Sequence, residues 1–376
     1  MALRKLHIIC TSVPHPPDYG GAIDVFYKIK ALHEIGVDII LHCFEYTRPQ
    51  SEELKKYCNE VHYYPRKSKI LSQFSMIPYI VKSRFNPFLL QRLMKDNYPI
   101  LFEGIHTTAY LNHPALSGRK KWLRAHNIEN DYYNSLFKAE RKLYKKCYYK
   151  LESLRIKKYN AIHSSADGVF AISQFDAAYL NNFNENTVLL NAFHGHSRIT
   201  SQIGKGDYIL YHGDLSVAEN NRSAEFMVEV CKSLPYRLRI AGKNPQSNLV
   251  NLVKHHKNID LIDNPDEIDM EDYIQNAGVI LLPAKQKTGL RLKLLVSLFK
   301  GRHCIASPEM VIDTGLEKLC QIADNKEEWR QTIKLCMDTP FTEYHYKQRI
   351  QPLKIYTDTD NAREIVKLIF EEKRVI

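Results

Sequence analysis

The sequence Lys-Gln-Lys-Thr-Gly-Leu-Arg-Leu-Lys-Leu-Leu-Val-Ser-Leu-Phe-Lys-Gly-Arg-His-Cys-Ile-Ala-Ser fills positions Lys285–Ser307, directly after the apolar run Gly278–Pro283. The apolar run predicts a buried strand. Apolar residues at helical spacing from Leu292 to Phe299 predict a helix that ends at Gly301. Cys304 to Ala306 predicts the next strand. A strand, a turn, a helix and a second strand are the repeating unit of a parallel α/β sheet.

The turn of this unit contains Gly289, and the cations Arg291 and Lys293 follow at the predicted start of the helix. Free backbone N–H groups and the helix dipole make such a turn a binding site for anions. Cations are unfavourable at a helix N-terminus, so their presence there indicates an anionic ligand, first of all a phosphate group. The alternative is that both side chains are ordinary solvated surface charges.

Length and composition predict a globular protein. A chain of 376 residues is expected to form two domains, each with its own core. All apolar runs are shorter than the about 18 residues of a membrane-spanning helix, and Leu6–Cys10 is too short for the core of a signal peptide. The eight cysteines include no C-x-x-C pair, which favours buried thiols in a reducing compartment and argues against zinc. We therefore expect a cytoplasmic protein.

Positive charge is concentrated in the N-terminal half. Residues 1–200 carry a net charge of +11, residues 201–376 carry none, and residues 119–158 alone carry +9. This asymmetry indicates an anionic partner (nucleic acid, an anionic membrane face or an acidic substrate), unless it serves only solubility. Residues 66–97 mix cations with bulky apolar side chains and predict two helices broken near Asn86-Pro87. Such helices lie on a membrane interface or, alternatively, pack on the sheet.

Strand and helix patterns alternate along the whole chain, which predicts an α/β protein with two facing doubly wound, Rossmann-like domains. We expect the first domain at residues 1–195, the second at 207–355, and a C-terminal helix within 356–376 that crosses back to the first domain. Asn191–Gly206 lacks periodicity and is expected to be the linker. In such sheets ligands bind outside the carboxyl ends of the strands, so we expect the ligand in an interdomain cleft.

Two common nucleotide-binding motifs are missing from the sequence. No G-x-G-x-x-G follows the first predicted strand of either domain, and the chain contains no G-x-x-x-x-G-K-[ST]. Binding of NAD or FAD and a P-loop NTPase are therefore not expected.

Six other motifs stand at or near predicted strand ends. In chain order they are Pro16-Pro-Asp-Tyr-Gly-Gly21, Leu123-Arg-Ala-His-Asn-Ile-Glu129, Tyr211-His-Gly-Asp-Leu215, Ile240-Ala-Gly-Lys-Asn-Pro245, the region from Ile262 to Pro283, and Gly289-Leu-Arg-Leu-Lys-Leu-Leu295. In order and spacing they resemble those of the GT-B-fold glycosyltransferases, in particular the large retaining family that builds bacterial surface glycans. The resemblance covers nearly the whole chain.

This resemblance implies a sugar transferase of bacterial surface polysaccharide synthesis. The first domain would bind a glycan or a lipid-diphosphate-linked acceptor, and the second would bind the nucleotide-diphosphate sugar that serves as the donor. No metal ion and no further cofactor is implied, and neither is a nucleic-acid partner. The basic first half then fits an acceptor at the anionic inner face of the cell membrane.

The resemblance also implies roles for single residues. His126 would be the catalytic residue beside the transferred sugar. The implied donor-binding residues are Gly20, Gly21, Gly213, Lys243, Thr288, Gly289, Leu290, Arg291 and Lys293. The implied acceptor-binding residues are His15, Glu103, His106 and Glu129.

The chain departs from the family pattern at two glutamates, whose places are taken by Thr288 and Val296. The second glutamate contacts the donor ribose in the family. The usual arginine and lysine after the first strand of the donor domain are also missing, because Asp214 and Glu219 stand near their places. Arg291 and Lys293 are the cations that can supply the lost charge.

Two other functions compete with the transferase. The missing glutamates favour a GT-B protein that binds a partner without catalysis, or a nucleotide-sugar epimerase. The basic residues 119–158 favour a nucleic-acid binder, although no recognised nucleic-acid motif accompanies them.

Overall fold

The computed structural model describes residues 4–67, 75–140, 142–285 and 291–371. The chain forms two compact units. Among the described residues, the first unit comprises 4–195 and 358–371, and the second comprises 196–285 and 291–357. The chain therefore passes from the first unit to the second after Gly195 and returns before Asp358.

The first unit contains a parallel sheet with the strand order β3-β2-β1-β4-β5-β6-β7. Its strands are β1 (Arg4–Cys10), β2 (Val37–Glu45), β3 (Glu60–Pro65), β4 (Ile100–Glu103), β5 (Lys121–Arg124), β6 (Gly168–Ala171) and β7 (Thr187–Leu189). Its helices are α1 (Gly20–Glu34), α2 (Tyr79–Lys82), α3 (Pro87–Leu93), α4 (Glu129–Ala139), α5 (Leu143–Tyr159), α6 (Gln174–Leu180) and, at the C-terminus, α14 (Asp358–Phe370).

Both faces of this sheet are covered, because alternate side chains of a strand point to opposite faces. In β1, Leu6 and Ile8 belong to one buried cluster and Ile9 to the other. The first cluster includes Ile365 and Ile369 of α14, which packs against α1. The C-terminal helix thus belongs to the core of the first unit.

The second unit contains a parallel sheet with the order β10-β9-β8-β11-β12-β13. Its strands are β8 (Tyr208–His212), β9 (Arg237–Gly242), β10 (Ile259–Asp263), β11 (Val279–Leu282), β12 (His303–Ala306) and β13 (Gln321–Ile322). Its helices are α7 (Ala218–Cys231), α8 (Ser247–Val253), α9 (Glu267–Asn276), α10 (Leu292–Lys300), α11 (Pro308–Val311), α12 (Lys326–Asp338) and α13 (Glu343–Lys354).

The doubly wound α/β architecture predicted from the sequence is confirmed in both units, with differences at a few elements. Strand β7 and helix α13 were not predicted, and α13 contains Pro352, which normally ends a helix. Helix α10 begins at Leu292, and Arg291 is its N-cap residue. The predicted linker at 191–206 is shorter, because Gly204 pairs with Phe341 inside the second unit. Part of the predicted helical region 66–97, residues 68–74, lies outside the described residues.

The cysteines have the buried environment that their sequence pattern predicts, with one exception. All eight cysteines are free, and all except Cys147 are buried. None of the helices within the described ranges combines the length and apolarity needed to cross a bilayer.

Asp358, the first residue of α14, binds the backbone at the point where the chain leaves the first unit. Its carboxylate accepts hydrogen bonds from the backbone N–H groups of His194 and Gly195, at 3.0 and 2.7 Å. Burial raises the pKa of Asp358 to about 7, although both N–H groups favour its ionised form.

We expect Asp358→Ala to lower the free energy of unfolding by about 1–3 kcal/mol, because it takes the carboxylate acceptor away from the backbone N–H of the buried His194 and from that of Gly195. Asp358→Asn keeps one acceptor oxygen and should lose less. Urea unfolding of the three proteins measures both differences. A loss below about 0.5 kcal/mol in the alanine variant, which is typical of a neutral surface change, would contradict this role.

Candidate functional site

A network of buried charges lies at the carboxyl edge of the first unit's sheet. Lys28 of α1 is fully buried, and its Nζ lies 2.9 Å from Asp24 Oδ2 and 2.8 Å from Glu103 Oε1. Asp24 is one helical turn before Lys28, and Glu103 is the last residue of β4. The ammonium therefore ties α1 to the end of a central strand.

Arg124, the last residue of β5, adds a second buried cation. Its guanidinium donates to Asp24 Oδ1 at 3.1 Å and to the backbone carbonyls of Leu190 and Asn191 at 2.5 and 3.1 Å. Burial alone would raise the pKa of Asp24, but Arg124 and Lys28 outweigh burial and hold it far below its usual range. Two cations and two carboxylates thus form a neutral, tightly bonded set.

His126 follows β5 by two residues and joins this network at its less buried end. Its Nε2 donates to Glu103 Oε2 at 2.7 Å, because a carboxylate with a lowered pKa can only accept. Burial acts to raise the pKa of Glu103, but Lys28 and the bond from His126 lower it. With the proton on Nε2, Nδ1 of a neutral His126 is left as an acceptor.

Nδ1 of His126 faces the start of α1. A Cβ added to Gly21 would lie 3.7 Å from this nitrogen and 3.1 Å from the ring of Tyr19. Gly20 and Gly21 are the first two residues of the helix, so their N–H groups have no intrahelical partner. The structure therefore brings together the glycine pair and the histidine that were predicted from separate motifs.

The ligand atoms of Asp24, Glu103 and His126 lie within 4.8 Å of one another, as a metal site would require. However, Lys28 and Arg124 already bind the carboxylate oxygens. A divalent ion would have to displace a buried ammonium group, so these residues do not fit a metal site.

The four predicted acceptor residues have different surroundings. Glu103 is fully buried and bonded to Lys28 and His126, so it positions His126 and does not contact an acceptor. Glu129, at the start of α4, is buried, and its pKa is raised to about 7. The ring of His15 packs against Phe26 of α1, and its Nδ1 is 2.8 Å from Ser51 Oγ.

His106 follows β4 by three residues, and its Nδ1 is buried without a hydrogen-bond partner in the described residues. Burial lowers its pKa well below the usual value, and the nearby guanidinium of Arg84 lowers it further. A Cβ on Gly104, whose φ is +74°, would meet this nitrogen at 3.1 Å.

The second candidate region is the carboxyl edge of the second unit's sheet. Lys293 lies in the first turn of α10. The end of its side chain lies next to Gly213, which directly follows β8. A Cβ on Gly213 would lie 2.4 Å from Lys293 Nζ. The ammonium donates to Asn220 Oδ1 at 2.7 Å, and among the described residues no carboxylate is within ion-pair distance of it. Burial lowers the pKa of Lys293 to about 8.

The neighbouring strand ends complete this edge. Lys243 follows β9, and its backbone carbonyl accepts the N–H of Leu215 at 2.9 Å. Asn244 and Asn264 follow β9 and β10 with φ of 51° and 52°, the left-handed region that asparagine tolerates. The side chain of Asn264 accepts the N–H of Asn244 at 3.2 Å. Thr288, Gly289 and Leu290, predicted at the same edge, lie outside the described residues.

A cavity of about 350 Å³ opens at this edge, beyond the ends of β11 and β12. Its lining includes Lys285, Ser307, Glu309, Asp324, Phe226 and Trp329. Lys285 also donates its backbone N–H to Glu219, at 3.3 Å.

Sequence reasoning missed Asp24, Lys28 and Arg124, as well as Asn220. Asp24 and Lys28 stand four residues apart on the apolar face of α1, together with Val25 and Ile29. Ionisable residues at buried helix positions are rare unless they are paired, so this spacing was a usable sign of the network.

We expect Glu103→Ala to lower the free energy of unfolding by about 3–5 kcal/mol, because it removes one of the two carboxylates that balance Lys28. The matched change His126→Ala leaves the four buried charges paired and should lower it by less than about 1 kcal/mol. Chemical denaturation of both variants checks the difference. Equal losses would show that Lys28 does not depend on Glu103.

The chain matches no family model. It is 32% identical over 181 residues to a Klebsiella pneumoniae protein named "Uncharacterized 44.6 kDa protein in cps region". That match spans 46% of each sequence, so it covers about half the length of this curated relative.

Solved structures match over almost the whole chain. The crystal structure of TarM has a TM-score of 0.68 at 10% identity and matches over 99% of both chains. A glycosyltransferase from Rickettsia africae ESF-5 has a TM-score of 0.66 at 13% identity, over 99% of this chain and 100% of that one. The chain therefore has the GT-B fold, in which such glycosyltransferases are built.

Proposed function

We propose that this protein is a glycosyltransferase that moves a sugar from a nucleotide-sugar donor to a glycan or lipid-linked acceptor in bacterial surface polysaccharide synthesis. The observation that carries the proposal is Lys293, a half-buried cation held against Gly213 at a strand end, with no carboxylate within ion-pair distance among the described residues. The glycosyltransferase fold and the relative in a cps region support the same reaction and pathway.

The surroundings of Lys293 are those of a phosphate site. Burial destabilises the ionised form of Lys293 more than the nearby charges of Glu219 and Asp214 stabilise it, which explains the lowered pKa. An anionic ligand would restore the balance. Gly213 has no side chain between the ammonium and the strand end, so a phosphate oxygen can approach closely. Lys293 thus provides positive charge where the family's arginine and lysine are missing.

In the proposed reaction the bond between the sugar and the donor diphosphate breaks, and an acceptor hydroxyl bonds to the sugar while its proton passes to an oxygen of the leaving diphosphate. Lys293, with Arg291 and Lys243, stabilises the charge that develops on the leaving diphosphate, which is the largest contribution to rate in such a site. His126 Nδ1 accepts a hydrogen bond from a sugar or acceptor hydroxyl. No step needs a metal ion, and we place the enzyme with the retaining class that its motifs resemble.

We further propose that the acceptor is reached at the anionic inner face of the cell membrane. Helix α5 exposes an apolar stripe of Leu143, Leu151 and Leu154, with exposed fractions of 76, 49 and 53%. Cys147, which is also exposed, continues the stripe, and lysines flank it. A helix with an exposed apolar stripe and flanking cations is suited to an anionic bilayer surface.

A second candidate function is a catalytically inactive GT-B protein that binds a partner. It is favoured by Val296, which stands where the family has its ribose-binding glutamate and packs against the core cluster of the second unit. The two functions differ in turnover: both allow a nucleotide to bind, but only the transferase releases nucleoside diphosphate from a nucleotide sugar.

A panel of nucleoside diphosphates and nucleotide sugars tests donor binding by thermal stabilisation. A donor at a hundred times its dissociation constant should stabilise the protein by about 2.7 kcal/mol. Lys293→Met should abolish the shift. Gly213→Ala should weaken it, because the new Cβ displaces the ammonium. Lys300→Met, at the other end of α10 and paired with Glu271, is the control that should keep the shift.

The affinity for the donor should fall as pH rises through about 8, where free Lys293 loses its proton. Lys293→Met should show no such dependence. A full shift in Lys293→Met would refute the phosphate site, and a shift without release of nucleoside diphosphate would favour the inactive binding protein.

Vesicle co-sedimentation tests the membrane contact. We expect binding to vesicles with anionic lipids and little binding to neutral ones, with the affinity falling as salt rises. Leu151→Glu should weaken it several-fold, because it places a negative charge on the stripe. Leu335→Glu, at an exposed leucine of the second unit, is the matched control. Equal binding by both variants would exclude α5 as the contact.

A further inference from the structure

Arg84 is a buried arginine of the first unit, and no carboxylate of the described residues pairs with it. Its Nε donates to the backbone carbonyl of Thr11 at 2.9 Å, just beyond β1, and one terminal nitrogen donates to the carbonyl of Ile80 at 2.6 Å. Its other terminal nitrogen makes no hydrogen bond within the described residues. The side chain is thus fixed in place while one edge of its guanidinium remains available.

A second arginine stands beside it. Arg66 Nε donates to Ser83 Oγ at 3.2 Å, and Arg84 lies 3.5 Å from the same oxygen. The guanidinium of Arg66 lies over the ring of Tyr46, 4.8 Å from its centroid, and in the described residues it has no carboxylate partner either. Burial, followed by the charge of Arg66, lowers the pKa of Arg84 to about 9. Two like charges brought this close destabilise the fold unless an anion joins them.

His106 provides the independent second observation. Its buried Nδ1 lacks a hydrogen-bond partner within the described residues. A Cβ on Gly104 would lie 3.1 Å from this nitrogen and 3.5 Å from Thr11, the residue whose carbonyl binds Arg84, so His106 lies close to Arg84. Burial, with the charges of Arg84 and Arg66, holds the pKa of His106 well below its usual value. A buried nitrogen without a partner loses the hydrogen bonds that water would give it. When Nδ1 carries the proton, it is a third donor for an oxygen atom of a ligand.

A purely structural role does not account for this arrangement. Arg349 of the second unit is also buried, and no described carboxylate pairs with it, but both of its terminal nitrogens bond to backbone carbonyls, including those of Leu298 and Gly301. Arg124 and Arg119 are each paired with an aspartate. Arg84 has neither arrangement. The carboxyl group of Glu129 acts on its charge, but burial raises the pKa of Glu129 to about 7 and so disfavours its ionised form.

We propose that Arg66, Arg84 and His106 form a binding site for an oxyanion, a phosphate or carboxylate group, at the carboxyl edge of the first unit's sheet. Arginine presents paired N–H donors that match two oxygens of such a group. If the protein is a glycosyltransferase, as proposed above, this oxyanion belongs to the acceptor. The acceptor is then either a diphosphate-linked lipid or a sugar acid, and a neutral glycan is disfavoured.

Titration calorimetry with inorganic pyrophosphate tests this site in the full chain. All variants are made in Lys293→Met, the parent protein, because it lacks the cation of the donor site and pyrophosphate should not bind there. We expect the parent to bind pyrophosphate, and Arg66→Gln in that background to weaken binding by about tenfold or more. Arg84→Lys keeps the charge without the paired donors and should weaken it less than Arg84→Gln. Arg363→Gln, which removes an exposed arginine of α14, should leave it unchanged.

Competition then identifies the source of the oxyanion. Stronger displacement of pyrophosphate by geranylgeranyl diphosphate than by glucuronate supports a lipid diphosphate, and the reverse order supports a sugar acid. The proposal is overturned if the parent does not bind pyrophosphate, or if Arg66→Gln and Arg84→Gln bind it as tightly as the parent. Donor function is judged separately, from nucleotide binding by the wild-type protein, so failure of one proposal does not imply failure of the other.

Discussion

The fully buried ammonium of Lys28 is the interaction on which the rest of the first unit depends. It binds Asp24 and Glu103, and Asp24 in turn accepts bonds from Arg124 and from the backbone N–H of Phe193, at 2.9 Å. Helix α1, the ends of β4 and β5, and the segment after β7 are thereby fixed together. An unpaired charge in this position would cost several kcal/mol, so these elements cannot readily move apart. His126 bonds to Glu103 and is therefore held in a fixed orientation.

The lysines of the two units show how pairing separates a structural charge from a functional one. Lys28 has two carboxylates within 3 Å and is inaccessible to a ligand. Lys293 is also largely removed from water, but its bonding partner is the neutral amide oxygen of Asn220. The same reasoning applies to Arg124, which is paired with Asp24, and to Arg84, which has no carboxylate partner in the part of the chain that the structure describes. Charges left without a counter-ion by the fold are where anionic ligands are expected.

Much of the fold could be predicted from the sequence, because buried parallel strands and amphipathic helices leave clear periodic patterns. The carboxyl-edge positions of Gly213, Lys243 and His126 followed from the strand ends. What could not be predicted depends on contacts between distant residues. Glu103 was expected to bind the acceptor, and only its contacts with Lys28 and His126 show that it is a buried residue that positions His126. Helix α13 was not predicted; its apolar pattern is weak, and it contains Pro352.

The most direct test of the donor site is an NMR titration of the Lys293 side chain, assigned by comparison with Lys293→Met. The account predicts a pKa of about 8 in the free protein and a clear rise when a nucleoside diphosphate is added, because a bound phosphate stabilises the charged ammonium. A pKa near the ordinary lysine value in the free protein, or one that does not change at saturating nucleotide, would contradict it.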